Sequence, residues 1–276
     1  MTKEELQKEL TLYLNRAING EVSCQARIGW AYLQAGEYFE AQKWLKKASS
    51  LFNRNASSLN NLGYMYEKGF YFKKDSKTAL KYYIKSAKLG NGTAANNAGL
   101  IYYHGRHNPN RKPDYKKAIV YFQLAFEKNN FKSCSYLGDI YSIGKGVKRD
   151  SSKAIKYLSK GASINNAFCH FRLGWCYDTG TCVTRNYTLA RQYYLKAIEY
   201  GKLAGAYSNL GRLYQYGLGV TIDLHKALEY YTEGAKLNSS LSIKQLPIVK
   251  KQLESNAPQN TNNIPDIELF DECSKD

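Results

Sequence analysis

The sequence has few prolines and no long apolar run. Only five of its 276 residues are proline, against 21 glycines and 25 tyrosines. Because proline breaks helices, its scarcity permits a largely helical chain. No stretch approaches the roughly 20 apolar residues of a membrane-spanning helix, so we expect no membrane span.

The first residues also lack the apolar segment of a secretory signal peptide. The opening stretch MTKEELQKELTLYLNRAING carries five charges in its first nine residues. Thr2 and Glu5 fit a capping box, which predicts a helix over residues 2–19. We therefore expect a cytoplasmic protein whose six cysteines are reduced thiols.

Acidic residues are scarce relative to basic ones. The chain has 23 acidic and 40 basic residues, which gives a formal net charge of +17. This excess favours an acidic partner, a nucleic acid or an anionic surface, and charge alone does not choose among them. Residues 255–276 are the exception, with five acidic residues and one lysine. We expect a flexible acidic tail there, and its docking on a basic groove stays open as an alternative.

Groups that build catalytic or metal sites are scarce as well. His104 and His107 lie three residues apart in one loop, whereas a metal site needs three or four converging ligands. The glycines of GKGVKRD, at residues 144–150, neither follow a strand nor precede a Lys-Ser or Lys-Thr pair. The sequence therefore predicts a non-enzymatic protein with no cofactor and no metal.

What the sequence does contain is an internal repeat. A glycine recurs every 34 to 39 residues, and a tyrosine stands three residues after each one. The six pairs are Gly29/Tyr32, Gly63/Tyr66, Gly99/Tyr102, Gly138/Tyr141, Gly174/Tyr177 and Gly211/Tyr214. We call these six glycines the register glycines. A period of this length is typical of an array of two-helix units.

A second helix follows in each repeat. An alanine is followed by two large apolar residues and a further alanine, at spacings that share one helical face. These first alanines are Ala41, Ala79, Ala118, Ala154, Ala190 and Ala227. An N-cap is predicted four residues earlier, at Glu37, Asp75, Asp114, Asp150, Asn186 and Asp223. The first helix is predicted to end in a left-handed residue at Gly69, Gly105, Gly144, Gly180 and Gly217.

Two of these repeats resemble Sel-1-like repeats, which are relatives of the tetratricopeptide repeat. They read LGDIYSIGKGVKRDSSKAIKYLSKGA at residues 137–162 and LGRLYQYGLGVTIDLHKALEYYTEGA at residues 210–235. The resemblance implies an all-α, right-handed superhelical solenoid of six helix–turn–helix repeats, often a bacterial interaction scaffold without catalytic residues. The domains expected are an N-terminal capping helix at 1–21, repeats at 22–238, a C-terminal capping helix at 239–254 and the tail at 255–276.

Partner-binding residues are predicted on the first helix of each repeat, which lines the concave groove in tetratricopeptide-like solenoids. Two positions matter, one two residues before each register glycine and one directly after it. Asn can bond to a peptide backbone, and Arg beside Trp or Tyr is typical of interface hot spots. The predicted binding residues are Arg27, Trp30, Asn61, Tyr64, Asn97, Tyr136, Arg172, Trp175, Asn209 and Arg212. A solvated polar face, or binding through basic residues on the outer face, stays open.

Three cysteines of the fifth repeat require a separate interpretation. Cys169 takes a position where other repeats carry alanine, so core packing is favoured. A zinc site with His170, and a local disulfide between Cys176 and Cys182 under oxidising conditions, are the weaker alternatives.

The sequence thus favours a non-enzymatic scaffold or adaptor that binds an acidic protein or peptide in its concave groove. A nucleic acid is disfavoured because the aromatic residues stand at core spacing rather than beside the lysines. The alternative is an immunity or neutralising protein that blocks a specific effector or toxin. The oligomeric state is left open, with a monomer favoured.

Overall fold

The computed structural model describes residues 1–255, which contain fourteen α-helices and no strand. The helices are α1 Lys3–Ile18, α2 Val22–Ala35, α3 Tyr38–Ala48, α4 Ala56–Lys68, α5 Ser76–Lys88, α6 Gly92–Tyr103, α7 Tyr115–Glu127, α8 Ser133–Ile143, α9 Ser151–Ala162, α10 Ala167–Thr179, α11 Tyr187–Gly201, α12 Ala204–Tyr216, α13 Leu224–Lys236 and α14 Ser240–Ser255. The all-α repeat fold predicted from the sequence is confirmed.

The helices belong to two compact units. The first unit, Met1–Ser133, contains α1 to α7, and the second unit begins at Cys134 and contains α8 to α14. In the first unit α2 packs on α3, α4 on α5, and α6 on α7. In the second unit α10 packs on α11, and α12 on α13. Each packed pair is the two-helix repeat predicted by the sequence period.

The register glycine of each repeat lets its two helices approach closely. A Cβ atom at Gly63 would lie 2.8 Å from the ring of Tyr83, and one at Gly174 would lie 2.7 Å from the ring of Tyr194. These glycines have helical backbone conformations, which any residue can adopt. Glycine is required there because the side chains of the neighbouring helix lie so close. Any side chain there would overpack a core that is already filled.

The tyrosine that follows each register glycine is packed between the helices. Tyr66 stacks on Tyr82 with ring centroids 5.5 Å apart, and Tyr177 stacks on Tyr193 at 5.6 Å. Offset stacking of this kind adds to the burial of apolar area. The periodic tyrosines are therefore packing residues, as their spacing predicts.

The second helices begin at the predicted caps. The Asp75 carboxylate accepts hydrogen bonds from the backbone N–H groups of Lys77 and Thr78, at 2.9 and 3.1 Å. Equivalent bonds form at Asp114, Asp150, Asn186 and Asp223. Glu37, the variant cap of the first repeat, makes no cap bond through its side chain. At the end of α10, Gly180 takes the left-handed conformation with φ 71°.

Helices also lie at the two ends of the described chain. Thr2 and Glu5 form the predicted capping box at the start of α1, and Ala17 of that helix packs into a cluster with Cys24 and Ile28. At the other end α14 packs on α13 and buries Val249. The tail predicted for residues 255–276 lies, from residue 256 onward, outside the described residues. Within residues 1–255 no helix is both long and apolar enough to cross a bilayer.

Candidate protein-binding surface

The predicted binding residues divide evenly between the two units, and their exposure differs. In the first unit Arg27 is exposed, and Trp30, Asn61, Tyr64 and Asn97 are partly exposed. In the second unit all five side chains are at most 8% exposed. Those five are Tyr136, Arg172, Trp175, Asn209 and Arg212.

Three asparagines of the first unit form a short chain of amide contacts. Asn97 on α6 donates through Nδ2 to Oδ1 of Asn60 on α4, at 3.2 Å. Asn60 in turn donates to Oδ1 of Asn61 at 3.4 Å. All three side chains are partly exposed, and each amide has more donor and acceptor sites than these contacts use. We call Asn60, Asn61 and Asn97 the asparagine row.

Aromatic side chains flank the asparagine row on α4. Tyr64 lies one turn from Asn60 and contacts the edge of Phe70, with ring centroids 5.8 Å apart. Phe70 stacks on Tyr38 at 4.5 Å, which holds its ring in place. The ammonium group of Lys68 lies 5.8 Å from the Tyr64 ring centroid. The row thus has a fixed aromatic neighbour with a cation beside it.

The guanidinium of Arg27 is already engaged within the first unit. It forms a bidentate pair with Glu9 of α1, with both N–O distances at 2.6 Å. These hydrogen bonds hold the pKa of Glu9 below its ordinary value. The same guanidinium lies 4.6 Å over the ring of Trp30. Arg27 and Trp30 line a shallow pocket whose other walls are Met1, Glu5, Glu9 and Gln34.

In the second unit, Arg212 belongs to a buried polar cluster. Its Nη2 donates to both carboxylate oxygens of Asp178, each at 2.5 Å. The Tyr194 hydroxyl donates to the same carboxylate at 3.0 Å, and burial raises the pKa of that hydroxyl well above its usual range. A buried charge without this compensation would cost several kcal/mol, so Asp178 and Arg212 depend on each other.

Arg172 belongs to a second ion cluster of the same unit. It pairs with Asp139 on α8, whose carboxylate also lies 2.8 Å from Nζ of Lys145. The guanidinium sits 5.4 Å from the ring centroid of Trp175 and 5.5 Å from that of Phe168. Asp139 is fully buried. Arg172 and Trp175 are therefore built into the second unit rather than presented on its surface.

These contacts bury the five side chains of the second unit that the sequence predicts to bind a partner. Partner contact by the five second-unit residues stays a prediction, but the described structure presents none of them as an exposed polar or aromatic group. The first-unit residues retain accessible atoms. Asn60 stands three residues before the register glycine Gly63, and so lies outside the two positions from which binding residues are predicted.

The sequence also carries a signal for the side chains that accept hydrogen bonds from the buried tyrosines, although they are not among the predicted site residues. In three repeats a tyrosine stands four residues after the first alanine of the second helix. In each of these repeats a polar residue stands four residues after the register glycine. The hydroxyl of Tyr83 donates to Glu67 at 2.7 Å, and that of Tyr231 donates to Gln215 at 2.8 Å. Repeats with Leu or Phe in place of that tyrosine carry Leu33, Tyr103 and Ser142 at the acceptor position.

Metal ligands do not converge within residues 1–255. No set of three or more His, Cys, Asp or Glu side chains is placed there to hold a metal ion. His107 packs on the ring of Tyr102 with centroids 4.9 Å apart, and His104 on that of Tyr103 at 5.1 Å. The arrangement of the first unit fits the binding of a macromolecule, through amides and aromatic rings.

Known proteins from several organisms resemble this chain. The ERAD-associated E3 ubiquitin-protein ligase component HRD3B of Arabidopsis thaliana is 32% identical over 213 residues, which cover 76% of this chain and 30% of that protein. A Sel1 repeat protein from Oxalobacter formigenes has a TM-score of 0.69 at 31% identity, covering 80% of this chain and 88% of that one. The protective antigen c5321 of uropathogenic Escherichia coli, which displays an SLR fold, has a TM-score of 0.76 at 25% identity, covering 95% of this chain and 54% of that one.

The chain spans less than half the length of the curated relatives it matches. The Sel1 repeat family itself matches six stretches, at residues 22–51, 56–91, 92–130, 132–166, 167–201 and 204–239. These stretches coincide with the two-helix units read from the glycine period. The chain therefore belongs to the Sel1 repeat family.

Proposed function

We propose that this chain is a non-enzymatic scaffold whose first unit binds an extended segment of another protein along α2, α4 and α6. Sel1 repeat proteins generally mediate protein–protein interaction, and HRD3B is a component of a ligase assembly. The observation that carries the proposal is the asparagine row, whose partly exposed amides cross from α4 to α6 beside Tyr64.

The asparagine row suits an extended backbone for a physical reason. An extended peptide presents N–H and C=O groups at regular intervals, and a carboxamide can satisfy one of each. The helices that carry the row are packed through their register glycines and stacked tyrosines. Because the side chains are held before binding, little conformational entropy is lost when a partner is bound.

We further propose that the bound segment is acidic. The ammonium group of Lys68 lies 5.8 Å from the Tyr64 ring centroid, beside the asparagine row. The chain as a whole carries +17. Positive charge at the rim accelerates association with an acidic segment and lowers affinity for a basic one.

Site-specific photo-crosslinking tests the proposal. A benzophenone amino acid in place of Tyr64 should crosslink a partner in a cell extract, since this ring lies beside the asparagine row. The control places the same probe at Val120 on α7, which is 59% exposed and away from the first helices of the repeats. A partner captured equally from both positions, or only from position 120, contradicts the proposal.

The affinity and stoichiometry of the captured protein also distinguish a scaffold from the alternative function, an immunity or neutralising protein. A scaffold should recover one or more proteins with micromolar or weaker affinity. One protein held at 1:1 with nanomolar or tighter affinity would support a neutralising protein that blocks a specific effector.

A further inference from the structure

One loop of the first unit holds an aromatic residue in a backbone conformation that favours glycine. The loop between α4 and α5 reads GFYFKKD at residues 69–75, and its Tyr71 has φ 64°. The fourth and sixth repeats carry Gly146 and Gly219 at the same position, with φ 67° and 66°. A large side chain is disfavoured there, because its Cβ crowds the following carbonyl oxygen. The turn itself therefore does not require tyrosine.

Burial of the ring does not account for Tyr71 either. The residue is 52% exposed, and its ring lies against that of Phe39 on α3, which is 57% exposed, with centroids 5.8 Å apart and planes at 58°. Phe72 contacts the Tyr71 ring edge-on at 5.1 Å and itself stacks on Tyr66 at 4.0 Å. We call the exposed rings of Phe39 and Tyr71 the aromatic patch. Exposed rings in contact, one of them on a strained backbone, indicate an interaction site.

Positive charge surrounds the aromatic patch. Residues 38–47 of α3 and 69–74 of the loop contain one glutamate and five exposed lysines, Lys43, Lys46, Lys47, Lys73 and Lys74. The ammonium group of Lys46 lies 5.7 Å from the ring centroid of Phe72, which supports the patch. An apolar side chain that covers the two rings is therefore favoured when carboxylates flank it, and disfavoured when basic residues do.

We propose that the aromatic patch binds a large apolar side chain, such as phenylalanine, within the acidic segment of the partner. This inference rests on the proposed function for the acidic character of the segment, and it adds the side chain that the segment must carry. The side chain lies against the rings of Phe39 and Tyr71, and the carboxylates beside it pair with Lys73 and Lys74. A large apolar group enclosed by rings inside a charged rim has the composition of an interface hot spot.

Fluorescence anisotropy of labelled synthetic peptides with the full chain tests the proposal. The probe carries one phenylalanine between glutamates, and two control peptides replace the phenylalanine with alanine or the glutamates with glutamine. We expect the probe to bind, and each control peptide to bind at least about tenfold more weakly. A probe that does not bind, or a control peptide that binds as tightly as the probe, overturns the proposal.

Substitution of Tyr71 separates binding from packing. Tyr71→Asn removes the ring and keeps the backbone, since Asn129, Asn165 and Asn238 of this chain have φ between 59° and 62°. We expect at least about tenfold weaker probe binding at an unchanged unfolding temperature. Phe52→Ala is the matched control and should bind normally, because Phe52 is 98% exposed in the same unit but outside the patch. A lower unfolding temperature for Tyr71→Asn, or an equal loss from Phe52→Ala, overturns the proposal.

Other ligands of a basic aromatic surface provide the last comparison. Vesicles of phosphatidylserine and single-stranded oligothymidylate are added to the unsubstituted chain and to Tyr71→Asn. Binding of either ligand that is tighter than probe binding and is lost in Tyr71→Asn overturns the proposal. Capture of a partner at Tyr64, together with unaltered probe binding by Tyr71→Asn, would overturn the aromatic patch and leave the asparagine row standing.

Discussion

The two units carry the same residue types at the same register positions and place them differently. In the first unit Asn61 and Asn97 keep accessible amides, whereas Asn209 in the second unit is fully buried. Arginine shows the same contrast, since Arg27 is exposed while Arg172, at the same register position, is buried against Asp139. Register along a helix therefore predicts which way a side chain points from the helix axis, but it does not predict what covers that side chain.

The contrast also separates two kinds of ion pair. The Arg27–Glu9 pair is bidentate but its arginine side chain is 45% exposed, so solvent and salt screen it. The Arg212–Asp178 pair is at most 4% exposed on either side. Removing one charge of a buried pair leaves the other without compensation, which costs far more than the pair's net contribution to stability.

Neutralising one carboxylate in each unit should give the largest difference. We expect Asp178→Asn to lower the free energy of unfolding by about 3–5 kcal/mol, because Arg212 keeps a buried charge. Glu9→Gln, the matched change in the first unit, should cost less than about 1 kcal/mol. Urea unfolding followed by circular dichroism measures both. Equal costs would show that the burial of the second pair has no energetic consequence.

A smaller and equal effect is expected in the two units when the register glycine acquires a methyl group. Gly63→Ala would press on Tyr83, and Gly174→Ala would press on Tyr194, at almost the same distance. Each should cost about 1–3 kcal/mol by overpacking. Thermal unfolding of the two variants measures this cost. Similar losses of stability would show that the two units are packed in the same way around their register glycines. A loss in one unit alone would break that conclusion.

Substitution of a helix N-cap should have the smallest effect on the free energy of unfolding. The pH dependence of this effect should differ between the two units. Asp75→Ala in the first unit and Asn186→Ala in the second should each cost about 1 kcal/mol at pH 7. Hydrogen bonds from the Thr78 hydroxyl and the Thr78 N–H lower the pKa of Asp75 below its value in the unfolded chain. Its stabilisation is therefore present above about pH 4 and is lost as the pH falls through the lowered pKa.

The matched cap does not titrate, which supplies the control. Asn186 accepts the same type of backbone bond from Leu189 at 3.0 Å. The cost of Asn186→Ala should stay constant between pH 7 and pH 2, while the cost of Asp75→Ala shrinks. Urea midpoints at both pH values measure this, and parallel behaviour of the two variants would contradict a role for the Asp75 charge.

The fold could be predicted from the sequence because its signals are local. Asp75 and Asn186 begin second helices as their N-cap chemistry predicts, and Gly180 ends a first helix as a left-handed residue. The spacing of the register glycines is enough to identify them in the sequence. Their physical cause, contact with a ring such as that of Tyr83, became evident only from the packed helices.

The candidate site could be predicted only in part because exposure depends on residues far away in the sequence. Arg212 is buried with a carboxylate 34 residues earlier, and Asn97 is aligned by Asn60, 37 residues earlier. The pairing of Tyr194 with Asp178 leaves a trace within the repeats, because acceptor and tyrosine occur together. This correlation can be recognised in the sequence once the structure shows that the acceptor and the tyrosine are in contact.

Titration of the crosslinked partner against variants of both units is the most direct test of the central claim, that the first unit presents the binding row. We expect Asn61→Ala with Asn97→Ala to weaken binding by about tenfold or more, since two hydrogen-bonding amides are removed. Asn209→Ala, its affinity corrected for the folded fraction, should bind within about twofold of the unsubstituted chain. Full affinity in the double variant, or an equal loss from Asn209→Ala, would contradict the account.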